Sequence, residues 1–163
     1  MSEDKKVNRK ALIISIAIPL LTGGLSGFLS REGMKTFEQI RQPPLSPPQW
    51  LFPVVWTILY VCMGTASYLV FVSDEDKEKI REALFIYGIQ LLVNFFWPIF
   101  FFNKSWYLFS FLWLVFLWLL IGKTIQLFSA ISKKAAYLLV PYFMWVTFAG
   151  YLNLAIYFLN RKG

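Results

Sequence analysis

The fold is decided by residues 43–72. They read Pro43-Pro-Leu-Ser-Pro-Pro-Gln-Trp50, then Leu51-Phe-Pro-Val-Val-Trp-Thr-Ile-Leu-Tyr60, then Val61-Cys-Met-Gly-Thr-Ala-Ser-Tyr-Leu-Val-Phe-Val72. Each proline fixes its own φ and drives the residue before it out of the helical region, so Gln42 to Pro48 is expected to be extended and stiff. From Trp50 to Val72 there is no charged residue. A run of that length and character spans the ~30 Å hydrocarbon core of a bilayer as a helix. Trp50, Pro53 and Trp56 stand at its mouth, and the chain has no histidine. A rigid lid leading into an aromatic-lined membrane helix suits a flat, apolar ligand.

The same signal repeats outward from this stretch. Of the 163 residues, 58% are hydrophobic and 20% aromatic, well beyond the usual soluble domain. Residues 11–29, 84–102, 105–128 and 136–158 form four further runs that are almost free of charge; polar residues are sparse in the third of these beyond residue 122. Five spans absorb nearly all the apolar residues. The expected fold is therefore an all-α membrane protein, a five-transmembrane-helix bundle in one domain over residues 1–163. The first connection, residues 30–49, is its structured cap. Lys5, Lys6, Arg9 and Lys10 before Ala11–Leu21 imitate a signal peptide, but the apolar run continues through Phe28 and Leu29, so it reads as a retained first helix.

Of the 16 Lys and Arg residues, ten fall on the side of the amino terminus, among them Lys77, Lys79, Arg81, Lys123, Lys133 and Lys134. Arg31, Lys35, Arg41, Lys104, Arg161 and Lys162 fall on the other. The bias puts the amino terminus in the cytoplasm and the proline-rich loop outside, with a bacterial cell membrane as the expected location. The net charge of +7 then reflects topology and contact with membrane lipid, not nucleic acid. The lone Cys62 cannot form an intramolecular disulfide and reads as packing. The second connection, Ser73 to Glu82, mixes charges of both signs and reads as a solvated turn.

An unpaired amide is costly in hydrocarbon, so polar residues inside the spans are the site candidates. Gln90, Asn94, Trp97 and Phe101 follow at steps of four, three and four and share one helix face. Pro53, Trp56, Tyr60 and Gly64 do the same in the second span, and Trp145, Ala149, Leu152 or Asn153, and Ile156 in the fifth. The plain alternative is aromatic core packing with hydrogen bonds between helices. Pro19, Pro53, Pro98 and Pro141 lie in four spans; each is expected to free a carbonyl and permit a kink that opens a cavity. Gly23 and Gly27 permit close helix contact, within the chain or between chains. Aromatics circle the fourth span, and Trp106 and Tyr107 suit the membrane interface.

Pro43 to Trp50, Pro53-Val-Val-Trp-Thr-Ile-Leu-Tyr60 with Met63-Gly64, Gln90-Leu-Leu-Val-Asn-Phe-Phe-Trp-Pro98, and Pro141-Tyr-Phe-Met-Trp145 with Leu152-Asn153 resemble the tryptophan-rich sensory protein / translocator protein family. Gly23-Gly24 to Gly27 and Arg31 also fit, so the resemblance covers essentially the whole chain in the same order. It implies a five-helix bundle, a homodimer, and a pocket roofed by the first loop. The implied ligands are porphyrins such as protoporphyrin IX and benzodiazepine-type compounds. By the resemblance, Trp56, Tyr60, Gln90, Asn94, Trp97, Trp145, Ala149 and Leu152 line the pocket, and Phe37, Pro43, Leu45, Pro47 and Pro48 form the lid. Leu45 stands where many members have a tryptophan, and Thr36-Phe37 where many have Trp-Tyr. Some bacterial members are proposed to break porphyrin down in light, which makes Trp56 and Trp145 the candidate catalytic residues; the missing lid aromatics weigh against that activity. A cholesterol motif is met only loosely, by Leu154, Tyr157 and Arg161.

The residues agree with a porphyrin ligand. Indoles and apolar surface hold a wide aromatic plate. Without histidine the commonest axial ligand of haem iron is missing, so metal-free porphyrin is the expected form, with no metal or cofactor required. Imidazole acid–base chemistry is absent too. Two classes of function remain: a membrane protein that senses, sequesters or regulates tetrapyrroles, or a transporter for them. Transport calls for charged sites inside the membrane, and the sequence offers no convincing one.

Overall fold

The computed structural model describes residues 6–161. Among them are six α-helices and no strand. They are α1 (Arg9–Leu29), α2 (Arg31–Phe37), α3 (Leu51–Phe71), α4 (Lys77–Pro98), α5 (Tyr107–Ile131) and α6 (Lys133–Asn160). A π-helical turn, Ile99–Asn103, prolongs α4. All but α2 are long and apolar enough to cross a bilayer, α4 together with its π turn. The chain is an integral membrane protein with five spans. Lys5 and Lys162, counted in the charge bias, lie outside the described residues.

The spans close into a ring in the order α1, α3, α6, α5, α4 and back to α1. Most seams carry a polar tie as well as apolar packing. Trp113 Nε1 donates to the Val93 carbonyl across α5 and α4 at 2.8 Å, and Trp118 Nε1 donates to Thr147 Oγ1 across α5 and α6 at 2.8 Å. Ser26 Oγ donates to the Phe95 carbonyl across α1 and α4 at 2.6 Å. The centre is filled by Met63, Val70, Phe128, Leu139 and Tyr142, all fully buried.

Two glycines bring α1 against α3. A Cβ on Gly64 would collide with the backbone of Ile16 and Ser15. Pro19 cannot donate to the carbonyl four residues earlier, which is that of Ser15. The freed carbonyl thus lies where a residue without a side chain admits it. Gly23 faces the ring of Tyr60 within the chain, whereas a Cβ on Gly27 would meet nothing. One half of the Gly-x-x-x-Gly is therefore an intramolecular contact.

Four expectations need correction. The first connection is not all loop, because Arg31–Phe37 is helical. The second is a turn only as far as Asp76: α4 begins at Lys77, where the Asp76 carboxylate caps the Glu78 N–H at 3.1 Å and Arg81 pairs with Glu78. The segment from Gln42 to Pro48 is not uniformly extended. Ser46 N–H donates to the Pro43 carbonyl at 3.3 Å and Leu45 has φ 67°, a β-turn with proline in its second place and a positive φ in its third. Finally, Pro53 interrupts nothing, since it is the third residue of α3, where helical N–H groups have no partner in the helix.

Candidate ligand-binding site

The inward faces of α3, α4 and α6 meet in a chain of side-chain hydrogen bonds. Tyr60 on α3 donates from its hydroxyl to Asn94 Oδ1 at 3.2 Å. Asn94 on α4 donates from Nδ2 to the Tyr142 hydroxyl on α6 at 2.7 Å, and Tyr142 donates to Gln90 Oε1 at 2.8 Å. All four residues are buried. The four-residue step from Gln90 to Asn94 puts both amides on one face, so a single tyrosine spans them. Gln90 Nε2 remains without a partner among the described residues.

Aromatic rings stack around this chain. Trp56 stacks on Tyr60 at 5.6 Å, the planes inclined by 29°, and meets Tyr142 edge-on at 6.1 Å. Trp145 meets Phe52, near the start of α3, edge-on at 5.8 Å. Its indole N–H is buried and has no partner among the described residues. From Trp145 a ladder of rings climbs α6 through Phe148 to Tyr151. Ala149 and Leu152 are buried on the same helix. An open cavity of about 800 Å³ lies at the far end of the bundle, beside Phe71, Asp74, Lys77 and Arg81.

One turn of α4 nearer the lid, Trp97 Nε1 donates to Asn153 Oδ1 at 3.1 Å, and Asn153 Nδ2 donates to the Tyr107 carbonyl at 2.7 Å. Trp97 stacks on Phe101 at 5.0 Å. The π turn widens the helix after Pro98 and presents Phe101 and Phe102 to Phe37 of α2, at 5.3 and 5.2 Å. A Cβ on Gly33 would strike the Phe102 backbone, so α2 lies directly on the π turn. The rest of the loop is tied to α6. Tyr151 donates from its hydroxyl to the Pro44 carbonyl at 2.9 Å. Asn160 accepts from the Arg41 N–H and donates to the Arg41 carbonyl, both at 3.1 Å.

Comparison with known proteins agrees with this architecture. Residues 15–159 match the TspO/MBR family. The chain belongs to the TspO/MBR family. It is 37% identical over 157 residues to the tryptophan-rich protein TspO of Chlorobaculum tepidum, which covers 94% of this chain and 99% of that one. It is 34% identical to protein CrtK of Rhodobacter capsulatus over 76% and 78% of the two chains. To the human translocator protein it is 32% identical, over 81% and 79%.

The positions likened to the TspO/MBR pocket are thus distributed over three connected groups. Tyr60, Gln90, Asn94 and Trp56 meet directly, through Tyr142. Trp97 belongs to the layer above, beneath Phe37. Trp145, Ala149 and Leu152 line α6 between them. Among the lid positions Pro43 is buried and Pro47 half-buried, but Pro48 and Leu45 are exposed. Leu45 is 80% exposed because the turn at Pro44–Leu45 directs it away from the bundle, so it does not cover the rings. Tyr142 was missed at the sequence level. The signal was present in Pro141-Tyr142, one helical turn before Trp145 on the same motif, but a tyrosine among so many aromatics does not announce a hydrogen-bonding role.

Proposed function

We propose that this TspO/MBR protein binds protoporphyrin IX or a related tetrapyrrole between α3, α4 and α6, and acts in porphyrin sensing, sequestration or regulation. The observation that carries the reading is the stacking of Trp56 on the Tyr60–Asn94–Tyr142–Gln90 chain, with Trp145 one helical turn beyond Tyr142 on α6, beneath a tethered loop. A flat macrocycle needs apolar faces to stack on and a few polar groups to orient it, and this is the combination present. The unpartnered donors of Trp145 and Gln90 support it, because buried donors are normally satisfied and a ligand acceptor is one way to satisfy them. A chain with no histidine favours the metal-free macrocycle over haem.

The ligand enters by parting rings that otherwise contact one another, with the loop from Gln42 to Trp50 moving off α6. The protein works as a homodimer in a bacterial cell membrane, amino terminus in the cytoplasm, in line with the Lys/Arg bias. The test is titration of purified protein in an uncharged detergent with protoporphyrin IX in the dark, followed by tryptophan quenching. Saturable micromolar binding that weakens in Trp56→Phe/Trp145→Phe is the expected result. Quenching that never saturates and is the same in the double variant would mean partition into micelles and would move a transport role ahead. Illumination with and without oxygen then asks whether bound porphyrin is consumed through the same tryptophans.

A further inference from the structure

We propose that Arg41 is the carboxylate anchor at the rim of the site, which makes the site selective for tetrapyrroles that carry free acid side chains. This rests on the tetrapyrrole reading above and adds the group that recognises the ligand's charged edge. The amphiphilic form of the ligand sets the requirement. An acidic porphyrin is an apolar plate with its carboxylates on one edge, and those carboxylates cannot be left in hydrocarbon. Below the site the bundle is closed by Met63, Val70, Phe128 and Leu139, all fully buried. The acid edge therefore points toward the lid.

Several cations stand at that end, but most are engaged. Arg31 lies over the ring of Phe28 and beside Glu32. Lys35 pairs with the same Glu32 at 3.2 Å. Arg161 lies over Phe158. The side chains of Arg41 and Lys104 have no such partner among the described residues. These two differ in how they are held. Arg41 is fixed on both sides by the Asn160 amide, through its N–H and its carbonyl. Its backbone thus stays in place while the guanidinium is exposed and uncommitted. Lys104 sits in the connection between the π turn and α5.

The placement along α6 also suits the ligand. Asn160 is fifteen residues beyond Trp145, about 22 Å at the helical rise of about 1.5 Å per residue. Tyr151, which holds Pro44, lies between them. A plate stacked among the tryptophans with its acid edge upward directs its carboxylates along that interval, toward the guanidinium. A planar guanidinium also accepts a carboxylate through two parallel N–H donors, which an ammonium cannot do.

The experiment compares protoporphyrin IX with its dimethyl ester, in dodecyl maltoside free of added lipid so that no lipid phosphate competes. Wild type, Arg41→Gln and Lys104→Gln are titrated in the dark. Arg41→Gln is expected to weaken the free acid about threefold to fivefold, as an exposed ion pair allows, and to leave the ester within about twofold. Lys104→Gln leaves both unchanged, and high salt removes the difference between wild type and Arg41→Gln. Equal affinities of wild type and Arg41→Gln for the free acid would overturn the assignment. So would an equal loss in Lys104→Gln, which would mean a diffuse surface field. If neither porphyrin binds wild type saturably, the tetrapyrrole reading itself has failed, an outcome distinct from a failure of Arg41 alone.

Discussion

Tyr142→Phe removes one oxygen atom and two hydrogen bonds from the centre of the bundle. The hydroxyl accepts from Asn94 at 2.7 Å and donates to Gln90 at 2.8 Å, and it is the group that connects α6 to both amides of α4. Interhelical hydrogen bonds in membrane proteins average about 0.6 kcal/mol each, so the two bonds contribute about 1.2 kcal/mol. The loss also leaves Gln90 Oε1 unsatisfied beside an amide nitrogen that already lacks a partner, which costs about 1 kcal/mol more. A total near 2 kcal/mol is expected. Tyr60→Phe removes a single, longer bond of 3.2 Å and is expected to cost about 0.6 kcal/mol. Both are read from equilibrium unfolding in mixed dodecyl maltoside and dodecyl sulfate micelles, followed by helical circular dichroism. The double variant should lose less than the sum, because both hydroxyls act on Asn94. If Tyr142→Phe is as stable as wild type, or Tyr60→Phe is the more damaging, the hydroxyl chain does not hold the three helices together.

Further outcomes follow from other contacts. Gly64→Ala should destabilise by about 1–3 kcal/mol, because the new methyl meets α1 backbone, whereas Gly24→Ala, with open space around it, should be neutral or stabilising in the same unfolding assay. Leu45→Asn relieves a positive φ that asparagine tolerates better, and should slow protease cleavage within residues 42–50; faster cleavage would count against the turn. Trp97→Phe keeps the stack on Phe101 but loses the bond to Asn153, and should lower stability by about 0.6 kcal/mol in the same titration.

The five spans could be read from the sequence because hydrocarbon forbids charge over a fixed length, and that constraint is local. The faces carrying Gln90, Asn94 and Trp97 were legible for the same reason, since helical spacing alone places them together. What could not be read depends on contacts made at a distance. Arg31–Phe37 is polar and short, and nothing in it specifies a helix; Gly33 and Phe37 settle it by packing on Phe101 and Phe102. Tyr142 acquires its role from partners 48 and 52 residues away in sequence. The start of α4 is a different kind of miss, because Asp76 capping Glu78 is a local signal that was obscured by the charges around it.

The grip of Asn160 on Arg41 engages only main-chain atoms of the residue it holds. The tether is therefore open to any residue at position 41 except proline, which has no N–H to donate. Such a replacement leaves the loop moored, so ligand preference is free to drift through this one position while the roof of the bundle stays where it is. Attachment and recognition are inherited separately.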